Sequence, residues 1–400
     1  MSVSSFKRKP LKIAIVGTRG IPAAYGGFET FAEELSIRLV KRGHSVTVFG
    51  RCSLRDFFKR RGDRETVYQG VRCLAFPTIR HKYLDTPVNG ILSLLFILFN
   101  AKRYDVVLVC NAANSPFLIF PKLVRVPTII NVDGIERQRA KWNFLGRGWY
   151  RLGEVCSVLL ADKVVADAEV IARYYRDRYK IEPAVIAYGA NARKAEDESI
   201  LRALGLRKGE YLLYVSRLEP ENNALGVIQA YNKIVSSYPL VIVGDAPYAD
   251  EYKERLKAEA DERVIFAGFQ FKDPYWTLQR NCYLYIQATE VGGTHPALVE
   301  AMSYGNCIIA NGTPENKEVL GDAGLFYEKN NFFELASLIQ RCLSDKELVK
   351  ELGKRAKERA NKYYRWESIV DAYETLFFSL LSSKLTIASE QGQRQNSHHQ

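Results

Sequence analysis

The sequence predicts an α/β protein built as two doubly wound, Rossmann-like domains facing a cleft. Three observations carry this. Short apolar strands alternate with helical segments, the pattern restarts after a polar stretch near the middle, and 400 residues exceed one ordinary core. Hydrophobic residues make up 47% of the chain and charged residues 26%, a balance suited to a globular fold.

The first element is an apolar strand at 11–17 that enters a glycine turn, followed by a Gly, Pro and Ala-rich loop at 18–27. Helix is expected from about Phe28, because Phe28, Phe31, Leu35 and Leu39 share one face, and Gly43 ends it before a strand at 45–49. That is a βαβ unit. Runs at 106–110, 128–132 and 163–166 read as further strands of a parallel sheet, whose ligands sit at strand carboxyl ends. Residues 1–190 form the first domain in this reading, and the polar stretch at 188–198 is a linker or surface loop. A second series spans 191–365, with strands at 211–215, 239–243, 264–266, 282–287 and 307–310 and helices at about 222–236, 250–260, 331–343 and 346–362. A last helix at 366–388 is expected to pack back on the body, and the Gln, Ser and His-rich tail at 389–400 to be disordered.

Charge is uneven. Net charge is +12, yet residues 1–190 hold 31 Lys and Arg against 16 Asp and Glu. A basic half suits an anionic substrate, nucleic acid or an acidic membrane surface, but aromatic-interleaved basic motifs of a nucleic-acid binder are not evident. The apolar run at 88–99, with the basic stretch at 59–64, is either a bilayer-docking helix or a buried core helix. The seven cysteines show no C-x-x-C pair, which indicates neither a zinc site nor a disulfide framework. No targeting or membrane-spanning segment is recognised, so a cytoplasmic location, with possible peripheral contact with the inner face of the membrane through the basic domain, is expected.

The densest chemistry lies at 292–302. Gly292 and Gly293 precede Pro296, which suits a first helical position, so a strand delivers glycines to a helix start whose free N–H groups favour a phosphate. Glu300, one turn further in, is either a hydroxyl acceptor for a sugar or ribose or a solvated helix carboxylate. Gly26 and Gly27 open a second helix, as a donor-approach turn or a plain βα turn.

Taken with Arg217-Leu218-Glu219-Pro220-Glu221 and Arg42-Gly43-His44-Ser45-Val46, these segments resemble glycosyltransferase family 4, retaining enzymes of GT-B fold, over about residues 11–380. The opening at 17–29, Asn131 to Glu136 and Glu221-Asn222-Asn223 resemble its rhamnosyltransferase-like branch. The resemblance implies a nucleotide-diphosphate sugar donor such as dTDP-L-rhamnose and a lipid-linked glycan acceptor, with no cofactor and no metal. It places the diphosphate on N–H groups at Gly293, Thr294 and His295 and the ribose on Glu300. Arg217 would neutralise the leaving group; the alternative is a surface arginine. Asp133 is either an acceptor-side acid or an Asx-turn residue, with Glu136 and Arg19 behind it. Two departures stand out. Gly292 replaces the family's first acid, with Glu290 two places off, and Asn222 replaces its usual lysine, so Asn222 or Asn223 is expected to hydrogen-bond instead. Rival readings are another GT-B chemistry, such as a nucleotide-sugar epimerase or a phosphorylase, and a non-catalytic nucleotide-sugar-binding protein.

Overall fold

The structure, a computed structural model, describes residues 9–24, 26–59, 65–79, 81, 83–139, 142–195, 197–246 and 249–397, with 384–397 described for backbone alone. One sheet takes β1 (Lys12–Val16), β2 (Ser45–Ser53), β3 (Glu65–Tyr68), β4 (Val71–Thr78), β5 (Val106–Cys110), β6 (Thr128–Asn131), β7 (Lys163–Ala166) and β8 (Ala184–Val185) in the order β3-β4-β2-β1-β5-β6-β7-β8. The other takes β9 (Leu212–Val215), β10 (Leu240–Val243), β11 (Val264–Gly268), β12 (Leu284–Gln287), β13 (Cys307–Asn311) and β14 (Leu325–Tyr327) in the order β11-β10-β9-β12-β13-β14. All pairings are parallel except β3 with β4. These are two doubly wound domains.

Helices cover both faces of each sheet, so the central strands are apolar throughout rather than alternating; every residue of β5, β6, β10 and β12 is buried. Strand order reverses around β1, between β2 and β5, and around β9, between β10 and β12. Each reversal makes a crevice at the strand's carboxyl end. The β3–β4 hairpin was not among the expected elements. Gln69 and Gly70 both take positive φ (48° and 81°) in its two-residue turn, and Gln in place of the favoured Asn, Asp or Gly conceals it.

The domains meet tightly. Glu318 of the second domain accepts the N–H groups of Glu169 (2.6 Å) and Val170 (2.8 Å), capping the helix Glu169–Tyr179 of the first. The long helix Trp366–Ser397 returns to the first domain, where Trp366, Ile369, Tyr373 and Phe377 pack with Phe31 and Leu35. Asn131 donates to the Tyr373 hydroxyl (3.0 Å), and Arg42 pairs with Asp371 and Glu374. The helix overruns the expected boundary. Glu390, Gln391, Gln393 and Arg394 are helix formers and no proline stops them, so the helix runs on to Ser397; 398–400 lie outside the described residues.

The apolar run at 88–99 lies in the helix Asp85–Phe99, which buries Leu94 and Ile97 and leaves Phe99 exposed. It serves mainly as core. Of the basic stretch at 59–64, residues 60–64 lie outside the described residues. No helix among the described residues is long and apolar enough to cross a membrane.

Candidate active site

A cavity of about 710 Å³ opens between the domains, lined by the turns that follow β1 and β9 and by the start of the helix Pro296–Tyr304. Its walls bring together Gly26, Gly27 and Asp133 from the first domain with Arg217, Asn222, Thr294, His295 and Glu300 from the second. Of the site residues expected from sequence, only Gly293 is absent from the lining.

On the second domain's wall, Arg217 sits just past β9 with its guanidinium 3.6 Å from Glu219. A permanently charged, planar donor paired with that carboxylate thereby stands at the cleft. Asn222 lines the cavity, and its amide also has a partner within the protein. Its Nδ2 donates to the Arg217 carbonyl (2.7 Å) and its own carbonyl accepts from the Tyr214 hydroxyl, so it fixes the arginine's turn. Asn223 is spent as well, donating to Ala288 and Glu290 (2.9 Å each), while Glu290 lies outside the cavity lining. Burial, followed by Arg139 and Arg217, pushes the His295 imidazole down to about 3, so it acts as a neutral hydrogen-bonding group. Burial pushes the Glu300 carboxyl up to about 7 even though it accepts a bond from the Tyr275 hydroxyl (2.5 Å).

The expected phosphate cradle is different in kind. The Thr294 N–H donates to Asp167 Oδ2 (2.8 Å), and the Thr294 hydroxyl donates to the Asp167 carbonyl. A carboxylate of the first domain thus occupies part of that helix start. The glycines permit this approach: a Cβ on Gly293 would stand 1.9 Å from Asp167 Oδ1, and one on Gly134 would stand 2.6 Å from the Gly292 Cα. They are there for close domain contact, and His295, Pro296 and Ala297 are the parts of the segment that face the cavity beside Thr294.

On the first domain's wall, Asp133 takes φ 53° and its N–H donates to Asn131 Oδ1 (3.1 Å), so Asn131 makes the Asx turn and Asp133 is held two residues on. Its side chain also bonds to Asp167, and burial first, then Glu136, pushes it up. Burial and then Asp133 push Asp167 well above the usual carboxylate range. Arg139 is buried against Glu136 (2.6 Å) and stands 3.8 Å from Glu221 of the other domain. Arg19 pairs with Asp85 (3.1 Å) further along the wall. Gly27 packs against Pro296, where a Cβ would meet Cγ at 3.0 Å, whereas one on Gly26 would meet only Glu29 Oε2 at 3.4 Å.

Residues 196–359 match the family Glycosyl transferases group 1, and residues 11–191 match Domain of unknown function DUF1972. The chain carries a group 1 glycosyltransferase domain. N-acetyl-alpha-D-glucosaminyl L-malate synthase of Bacillus anthracis is 28% identical over 194 residues, 47% of this chain and 50% of that protein. The N-acetylgalactosamine-N,N'-diacetylbacillosaminyl-diphospho-undecaprenol 4-alpha-N-acetylgalactosaminyltransferase of Campylobacter jejuni is 26% identical over 173 residues, 42% of this chain and 47% of its own length. The chain therefore spans about half the length of these curated relatives. The crystal structure of sucrose-phosphate synthase from Thermosynechococcus elongatus superposes with a TM-score of 0.77 at 19% identity, covering 94% of this chain and 100% of that one. That likeness fixes the fold as GT-B. The group 1 domain supplies Arg217, His295 and Glu300; the DUF1972 segment supplies Asp133 and Asp167.

Sequence reasoning missed several cavity residues. Phe269, Phe271, Lys272 and Tyr275 line the side beyond β11, with the two phenylalanine rings stacked at 5.8 Å. The segment Phe269-Gln270-Phe271-Lys272 falls between elements and has no periodicity to mark it. Arg139 and Asp167 were equally silent, since only the fold brings them to the second domain. Among the described residues, no group of three or more His, Cys, Asp or Glu is placed to hold a metal.

Proposed function

We propose that this protein is a retaining glycosyltransferase that moves a sugar from a nucleotide-diphosphate donor to a lipid-linked glycan acceptor at the inner face of the cell membrane. The observation that carries the reading is the single cleft that gathers Arg217, neutral His295, Glu300 and the Gly27 turn from two domains. The donor lies along the group 1 domain, its ribose hydroxyls donating to Glu300 and its base against Phe269 and Phe271. Arg217 neutralises the diphosphate, and His295 hydrogen-bonds the sugar or phosphate.

In the reaction the acceptor oxygen bonds to the anomeric carbon on the face that the diphosphate leaves. The bond from that carbon to the phosphate oxygen breaks, and the acceptor's proton passes to the departing phosphate. The protein then contributes positioning and charge neutralisation, which suits a cleft with no free carboxylate nucleophile at Gly292. The resemblance of residues 17–29 and 131–136 to the rhamnosyltransferase-like branch supports L-rhamnose as the sugar and dTDP-L-rhamnose as the donor. The diphospho-undecaprenol in the Campylobacter relative's name supports a lipid diphosphate acceptor.

The test is a thermal-shift screen of nucleotide sugars, followed by transfer from the stabilising donor to a lipid-diphosphate glycan. Stabilisation by a dTDP-sugar and acceptor-dependent release of nucleoside diphosphate is the expected result. Transfer from no donor to any lipid-linked acceptor would sink the reading, and donor binding without turnover would favour a nucleotide-sugar sensor.

A further inference from the structure

The helix Phe144–Leu160 is apolar on two opposite sides. Tyr150, Gly153 and Ser157 lie on its buried side, together with Glu154, which is held by Arg137 and by the hydroxyls of Tyr174 and Tyr179. At helical spacing the opposite side carries Leu145, Leu152, Val155 and Leu159, all exposed, with Phe144 88% exposed at its start. A helix that is apolar all round normally has cover on every side. Lys122 Nζ donates to the Leu159 carbonyl (2.7 Å), which joins this stripe to the short helix Ile119–Leu123 and its exposed Leu123. The two elements therefore lie side by side and each carries an exposed leucine.

Between residues 111 and 162 the exposed charged groups among the described residues are Lys122, Arg125, Arg147 and Arg151 against the single acid Asp162, so the sign is mainly positive. The other acids of that stretch are turned inward: Glu136 and Glu154 are buried and Asp133 lines the cleft. Exposed leucines flanked mainly by cations match the interface of an anionic bilayer, which takes apolar side chains below its headgroups and holds Lys and Arg at them.

We infer that the outer face of the helix Phe144–Leu160, with Leu123 and Lys122, docks this protein on an anionic membrane. The inference rests on the lipid-linked acceptor of the proposed function and replaces the run at 88–99 as the docking element. The same helix presents Tyr150 to the cleft, and Trp142 lines the cleft just before it. A lipid-anchored acceptor would enter beside that end.

The experiment is sedimentation of the full chain with vesicles of phosphatidylglycerol or of phosphatidylcholine. The wild type is expected to bind phosphatidylglycerol at least tenfold better, with binding lost in high salt. The triple substitution Leu145→Ser, Leu152→Ser and Leu159→Ser should lower that binding at least tenfold while leaving the thermal transition in place, and Arg147→Glu with Arg151→Glu should abolish the lipid preference. Absence of wild-type binding to phosphatidylglycerol, or undiminished binding by the leucine variant, would overturn the inference. So would a dimer of the wild type that the leucine variant loses, because a second copy would then be the cover. Transfer to a water-soluble acceptor analogue separates the two readings: the leucine variant should keep it, and its absence from the wild type beside intact vesicle binding would count against the transferase reading alone.

Discussion

Two glycine pairs open helices on opposite walls of the cleft, and they do different work. Gly26 and Gly27 lead into the helix Gly27–Lys41 with extended backbone at Gly26 and modest contacts, the closest being Gly27 with Pro296. Gly292 and Gly293 lie under the His295 ring and against Asp167, where no side chain fits. From sequence the second pair reads as an anion-binding helix start, and the first as a turn approaching the donor or a plain βα turn. The comparison teaches that glycine before a helix marks a close approach without saying to what, and here one of the approaching groups is another domain's carboxylate.

Substitutions sharpen that difference. The largest effect is expected beside the second pair, at the charge it frames: Arg217→Ala should lower kcat about 10²–10³-fold in a transfer assay, with Arg217→Lys recovering part. Gly293→Ala comes next. Its new Cβ must push Asp167 away, so denaturant titration should show about 1–3 kcal/mol of destabilisation and kcat/KM should fall on the order of 100-fold. Gly27→Ala needs Pro296 to give by a few tenths of an ångström, and about a severalfold change in kcat/KM is expected. Gly26→Ala meets ordinary van der Waals contact and should stay within about twofold of wild type, with stability changed by less than about 0.5 kcal/mol. Equal damage from Gly26→Ala and Gly293→Ala would erase the distinction.

The pH dependence belongs to the same wall. On the proposed reading ribose hydroxyls would donate to an ionised Glu300, so protonation below about 7 should raise the donor KM, up to about tenfold per pH unit. Stability runs the other way. Glu300 is raised above its unfolded value of 4.5, so the folded state holds the extra proton and the group's contribution, full below about 4.5, is lost as pH rises through about 7. Glu300→Gln should therefore flatten both the KM profile and part of the decline in melting temperature between pH 5 and 8.

Much of the fold was legible because doubly wound sheets bury both strand faces and leave near-continuous apolar runs, as in Val106 to Cys110 and Leu240 to Val243. The β3–β4 hairpin was not, since Gln69 hides its turn. Within the site, Arg217, His295 and Glu300 were readable from their place after a strand or on a helix start. Asp167 and Arg139 were not readable, because their partners Thr294 and Glu221 lie 127 and 82 residues away and no local pattern records such a meeting. Asn222 was readable as a cavity residue, but the bond from its amide to the Arg217 carbonyl was not, because that bond depends on the turn's shape rather than on residue type.

The central claim is that the second domain's wall of the cleft holds a nucleotide sugar through Glu300. Calorimetric titration at pH 8 of the wild type and Glu300→Gln with the donor that most stabilises the wild type tests it most directly. One-to-one binding by the wild type, weakened about tenfold by the substitution, is the result expected for loss of a charged hydrogen bond. Equal affinity in the two proteins would place the ribose elsewhere and contradict the account.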